Sequence, residues 1–151
     1  MGAVTMSLNG TDKKNVAITL KTAIHNGGET ETYELVLSGI QIFKNAAVYL
    51  QFEEAGENGA IKTIIKYTED EALLMRSGAV KMRQVFRPGE LTNGHYESIY
   101  GTLPMVTNTH EMARKISGQD HSEEIIFRYN LEMNGDNLGL YEMSIKYREE
   151  E

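Results

Sequence analysis

Ile125-Ile126-Phe127-Arg128-Tyr129-Asn130-Leu131-Glu132-Met133, followed by Asn134-Gly135-Asp136-Asn137, is the stretch whose reading decides the fold. Ile125, Phe127, Tyr129, Leu131 and Met133 alternate with Ile126, Arg128, Asn130 and Glu132. A strand here puts the first set on one face and a more polar set on the other. Asn134-Gly135 supplies two residues that tolerate positive φ, as a tight hairpin turn requires. Leu138–Tyr147 is then the returning strand.

The same alternation extends through the chain. Val16, Ile18, Leu20, Thr22 and Ile24 share one face of a first segment, and His25-Asn26-Gly27-Gly28 turns it. Tyr33, Leu35 and Leu37 alternate until Gly39, where the apolar parity flips to Ile40 and Ile42, the mark of a β-bulge. After Lys44-Asn45, Val48, Leu50 and Phe52 alternate; after Gly56-Glu57-Asn58-Gly59, so do Ile61, Thr63, Ile65 and Tyr67. Ala72–Met75 and Ala79–Phe86 follow as two strands, and Arg87-Pro88-Gly89-Glu90 with Asn93-Gly94 bounds a longer loop. His95–Tyr100 is a further strand, and Gly101–Pro104 interrupts the ladder. Asn108–Ile116 can be read as a short helix with a capping box at Asn108 and Glu111, or as a strand with Met112, Arg114 and Ile116 on one face. Its neighbours are all strands, and the strand is preferred. About ten strands at roughly 12-residue spacing, with no helical crossover, make an all-β chain. Hairpin connections throughout favour a closed or nearly closed antiparallel up-and-down barrel of 8–10 strands. Residues 1–13 are expected as a loose N-terminal tail, 14–148 as a single β-barrel domain and 149–151 as an acidic C-terminal end.

Composition narrows the function. Fifteen Lys and Arg against 22 Asp and Glu give a net charge of −7. That argues against nucleic-acid binding and against docking on anionic membranes. No stretch has the ~18 consecutive apolar residues of a membrane helix. There is no cysteine, which removes disulfides, thiolate nucleophiles and Cys-ligated metals and fits a cytoplasmic setting.

Val48-Tyr49-Leu50-Gln51-Phe52-Glu53-Glu54, a Gly-containing loop and Ile61-Lys62-Thr63-Ile64-Ile65-Lys66 together resemble the YwiB-like family of small bacterial proteins. Leu74-Met75-Arg76-Ser77-Gly78-Ala79-Val80-Lys81-Met82 with Phe86, Tyr100-Gly101 with Leu103, and Ile126-Phe127-Arg128-Tyr129 continue the resemblance over residues 14–148. It implies a lipocalin-like (calycin) barrel and brings no established activity. The chain has no Trp and therefore lacks the Gly-x-Trp signature of secreted lipocalins, so their ligands are not carried over.

No catalytic or metal-binding pattern stands out against its ordinary explanation. His25, His95, His110 and His121 lack ligand spacing, so no metal or cofactor is expected. Asp120-His121-Ser122 has the residue types of a triad, but adjacent residues in one turn cannot face each other as a triad does. No Gly-x-Ser-x-Gly, P-loop or Rossmann fingerprint occurs. Glu53-Glu54 and Glu123-Glu124 are neighbours on strands and point to opposite faces, which makes them poor acid–base pairs. Lys62, Lys66, Lys81 and Arg83 form a basic stripe best read as a solvated outer face. The chain is therefore expected not to be an enzyme.

The barrel interior is the better candidate. Its inner faces carry Thr22, Thr63, Gln84, Ser98 and Thr107 with Tyr33, Tyr67, Tyr96 and Tyr100, a composition suited to a small cavity. The candidate ligand-binding residues are Arg76, Gln84, Phe86, Tyr100, Arg114 and Tyr129. A three-residue Arg76-Ser77-Gly78 loop with Gly78 left-handed pairs Met75 with Ala79 and Leu74 with Val80, and puts Arg76 inside one mouth. A guanidinium there needs a glutamate, backbone carbonyls or a bound anion. The leading expectation is a binder of a small amphipathic or hydrophobic ligand, its head anionic if Arg76 clamps it. The alternative is an interaction or structural barrel with a filled interior and an outer patch of Ile64, Leu73 and Met75, in which a homodimer is one arrangement.

Overall fold

In a computed structural model of the chain, which describes residues 13–150, the Asn134-Gly135 hairpin forms as its sequence requires. Both residues take positive φ, 52° and 86°, and Met133 pairs with Asp136. Nine such reversals link ten strands: β1 (Lys13–Asn26), β2 (Glu29–Lys44), β3 (Ala47–Gly56), β4 (Gly59–Tyr67), β5 (Ala72–Gly78), β6 (Lys81–Phe86), β7 (Leu91–Ser98), β8 (Gly101–Ile116), β9 (Glu123–Met133) and β10 (Asp136–Glu149). Each pairs antiparallel with its sequence neighbour, and β1 pairs with β10, closing the barrel. The described residues contain no helix, and so none long and apolar enough to cross a membrane. The segment 108–116 belongs to β8.

The domain limits shift slightly. The expected tail lies outside the described residues except for Lys13, which begins β1. The ladder passes the expected boundary at 148: β10 reaches Glu149, and the Glu150 amide donates to Asn15 O at 2.8 Å. Asn93-Gly94 lies inside β7 rather than in a loop, because both residues pair with β8.

The bulge expected at Gly39 does not form. The β1–β2 register runs unbroken from Asn26 opposite Glu29 to Lys13 opposite Ile42. Gly39 is there for space: a Cβ would lie 2.6 Å from both Gln51 O and the Ile18 Cδ1 atom. The register slips instead at Thr109/Glu111 in β8 and Asn137/Gly139 in β10, both against β9.

The β5–β6 register also differs from the expected one. Leu74 pairs with Gln84, Met75 with Arg83 and Arg76 with Met82. β5 stays on β4 as far as Gly78, opposite Ile61, and the Ala79 amide donates to Ala60 O at 3.1 Å. The chain therefore reverses after Gly78, not around Ser77. The partner of each β5 residue moves by four positions, an even number, so the inward parity of Leu74, Arg76, Gln84 and Phe86 is unchanged.

The core is concentrated at one end. Val16, Ile18, Val48, Leu50, Ile65, Phe86, Ile125, Phe127 and Ile145 are all essentially inaccessible. Phe86 stacks on Phe127 with centroids 4.3 Å apart and meets Tyr129 edge-on at 5.0 Å. Tyr129 in turn stacks on Tyr141 at 5.2 Å. This aromatic column leads from the packed end toward the open one.

Two turn substitutions should act in opposite directions. Gly78 has φ 102°, and a Cβ there would collide with Ala60 O, so Gly78→Ala should cost roughly 1–3 kcal/mol in urea melts. Ala46 has φ 62° in the two-residue β2–β3 turn, so Ala46→Gly should gain about 0.5–1 kcal/mol.

Candidate functional site

The ends of the barrel differ because the inward-facing residues differ. At the packed end Arg114, Glu123 and Tyr147 point inward and plug the lumen. Arg114 donates to Glu123 Oε1 through both Nε and an Nη2 group, and the Tyr147 hydroxyl donates to the same oxygen at 2.9 Å. Burial works against the Arg114 charge, but its bonds to Tyr147 and Glu123 offset this and leave its pKa raised. Burial likewise pushes the Tyr147 phenol well above its ordinary range.

At the other end the side chains do not meet in the middle. A cavity of about 310 Å³ remains, lined mainly by Leu20, Leu35, Phe52, Ile65, Leu74, Met82, Met105, Leu131 and Met143. Its polar lining comes from Arg76, Glu54, Thr63, Gln84 and tyrosines 33, 96, 129 and 141. Arg76 Nη2 donates to Glu54 Oε1 at 2.8 Å, and the two side chains are 29% and 20% exposed. Gln84 Nε2 donates to Thr107 Oγ1 at 3.1 Å. Burial is the main force raising the Tyr129 pKa, with the neighbouring Tyr141 adding to it and a bond to Gln84 opposing it. Thr63 is 2% exposed and lines the cavity, yet its hydroxyl has no hydrogen-bond partner among the described residues. Thr109, deeper in the wall, is the other such hydroxyl.

The structure thus brings together three of the six sequence-derived candidates: Arg76, Gln84 and Tyr129. The other three are corrected. Tyr100 is 87% exposed in the β7–β8 turn, because β7 ends at Ser98 and the chain has already left the barrel wall. Phe86 is fully buried in the packed half, held between Phe127 and Tyr129, and is not part of the cavity lining. Arg114 faces inward, but at the opposite end of the barrel.

The most consequential residue that sequence reasoning set aside is Glu54. Continuing the alternation of Val48, Leu50 and Phe52 by one step places it inside, opposite in sense to Glu53. Glu123 follows the same rule from Ile125, while Glu124 points away and accepts a bond from Ser144.

These features define a class: a closed, ten-stranded antiparallel barrel with one packed end and one open, largely apolar lumen. The chain belongs to the family described as a domain of unknown function (DUF1934), whose model matches residues 18–145. It is 34% identical over 137 residues to the uncharacterized beta-barrel protein YwiB of Bacillus subtilis (strain 168), covering 89% of this chain and 95% of that one. The crystal structure of the Bacillus subtilis ywiB protein superposes with a TM-score of 0.82 at 30% identity, over 93% of this chain and 94% of that one.

Two measurements check the electrostatics of the lumen. Arg76→Met strands Glu54 at a partly screened site, so it should cost about 1–3 kcal/mol, between the surface and buried limits. Adding Glu54→Gln should recover most of the loss in urea melts. For Tyr129, an unfolded phenol titrates near pH 10, whereas the folded one keeps its proton to higher pH. Folding stability should therefore be full below about pH 10 and fall as pH rises beyond it. Tyr129→Phe should flatten part of that fall.

Proposed function

We propose that this barrel binds, without transforming, a small and largely apolar ligand in its open end. The observation that carries the reading is the cavity itself. Its volume of about 310 Å³ lies at the lower end of the ~300–1,000 Å³ typical of small-molecule sites. Its walls are mostly aliphatic side chains and tyrosines, with a few converging polar groups, as such sites are built. An interior filled by side chains, the rival reading, would leave no such space.

The polar groups suit holding rather than chemistry. Arg76 and Glu54 neutralise each other, Gln84 is bonded to Thr107, and Tyr129 is held protonated. The reading therefore no longer calls for an anionic head. Among the described residues Thr63 is the one lining hydroxyl that is buried and unpaired, which costs about 1–3 kcal/mol unless something bonds to it. A ligand with one small hydrogen-bonding group near its apolar body fits that arrangement. Lipocalins and fatty-acid-binding proteins, which hold ligands inside similar barrels, provide the fold-level analogy.

The test uses N-phenyl-1-naphthylamine, an uncharged probe that fluoresces in apolar surroundings. The wild type should bind it, and Leu131→Trp, which fills the cavity, should weaken binding at least tenfold, ~1.4 kcal/mol, with the fold retained. Thr63→Val should raise stability by about 1 kcal/mol by removing an unpaired hydroxyl. Equal binding by wild type and Leu131→Trp, or none by the wild type, would overturn the reading.

A further inference from the structure

The hairpin seam between β2 and β3 is incomplete. β2 is paired with β1 along its whole length to Ile42, but with β3 only from Gly39 to Lys44. Glu29–Ser38 therefore has a partner on one side alone among the described residues. Facing it, Glu53–Gly56 of β3 pairs only with β4. The result is a slot in the wall, bounded by two strand edges with backbone donors and acceptors to offer. A hollow of about 270 Å³ lies at its foot, formed by Ser38, Gly39, Ile40, Gln51, Phe52, Glu53 and Lys62.

The β2 edge is built to pair. Glu29-Thr30-Glu31-Thr32-Tyr33-Glu34-Leu35-Val36-Leu37-Ser38 contains no Pro or Lys, two of the usual means of blunting an exposed edge, and the charges it carries are all glutamates. Thr30, Thr32, Tyr33 and Val36 are residue types that favour strands. Val36 is 73% exposed and Tyr33 53%. Its register is fixed by unbroken pairing with β1, so the edge is a rigid template.

Charge selects the occupant. Glu29, Glu31 and Glu34 lie on the β2 side of the slot and Glu53 and Glu54 on the β3 side. The nearby cations are Lys21, paired with Glu34 at 3.6 Å, Arg76, paired with Glu54, and Lys62, opposite Glu53 in the ladder. A second copy would bring the same three β2 carboxylates to the seam, and like charges across a strand pair repel. We propose that the 29–38 edge is a β-augmentation site for an extended basic segment of a partner protein, with alternate apolar side chains directed toward Tyr33 and Leu35. The proposal rests on backbone pairing and charge, and because Tyr33 and Leu35 also line the cavity, a segment seated here would reach its mouth.

The test is hydrogen exchange by NMR on the full chain, alone and with three capped eight-residue peptides: alternating Lys and Val, alternating Glu and Val, and the Lys–Val peptide N-methylated at alternate residues. In the free protein, the amides of 29–38 that point away from β1 should exchange fast and those bonded to β1 slowly. The Lys–Val peptide should slow the fast set at least tenfold, and the other two should not. Glu31→Lys with Glu34→Lys, both at exposed positions, should transfer the protection to the Glu–Val peptide. Edge amides already protected in the free chain would show that the chain covers this edge itself and would overturn the proposal. So would an absence of protection by the Lys–Val peptide, or equal protection by the N-methylated one, which cannot complete a ladder.

Discussion

The pairing of β1 with β10 closes the barrel, but the β2–β3 hairpin seam is incomplete and pairs only as far as Gly39, a position without a side chain. Gly39 lets β2 lie close enough to β3 for pairing while Ile18 and Phe52 fill the space beneath it. Any Cβ would press on the Gln51 carbonyl and on Ile18. Below Gly39 the seam is paired and the lumen is packed. Above it β2 continues on β1 alone, the wall opens and the cavity begins. The gap in the wall begins where that pairing stops, and the inward-facing residues on either side of it set which half is packed.

The two inward arginine–glutamate pairs show how the ends differ. At the packed end Glu123 receives Arg114 and Tyr147 together, so these partly buried charges are well satisfied and close the lumen. At the open end Arg76 and Glu54 share a single bond and border a space with Thr63 still unpaired. The first pair works as a plug and the second as part of a mouth. Between them the aromatic column through Phe127, Phe86 and Tyr129 forms the rigid floor.

Much of this was legible in the sequence because a strand repeats every two residues. The alternations of 125–133 and 61–67 define faces as well as elements, and Arg76 reads as inward in both the expected and the observed hairpin register, which differ by an even number of positions. What a single chain does not show is distance across the barrel. Glu54 as the partner of Arg76, and the separation of Arg114 from Arg76, depend on strands that meet only after closure. Tyr100 shares the inward parity of its neighbours but lies past the end of its strand, and parity says nothing about where a strand stops. Gly39 misled for a related reason: a flip in the apolar pattern looks like a bulge, whereas here Ile40 and Ile42 take the outer face and a glycine and Gln41 keep the inner one.

The division into a packed half and an open half can be tested without knowing any ligand. Xenon enters apolar cavities large enough to hold it and leaves filled cores untouched. Methyl NMR under xenon pressure should show saturable shifts at Leu20, Leu74, Leu131 and Met143, which line the cavity, and little change at Ile18, Val48, Ile125 and Ile145. Shifts of equal size in both sets, or none in the first, would contradict the account.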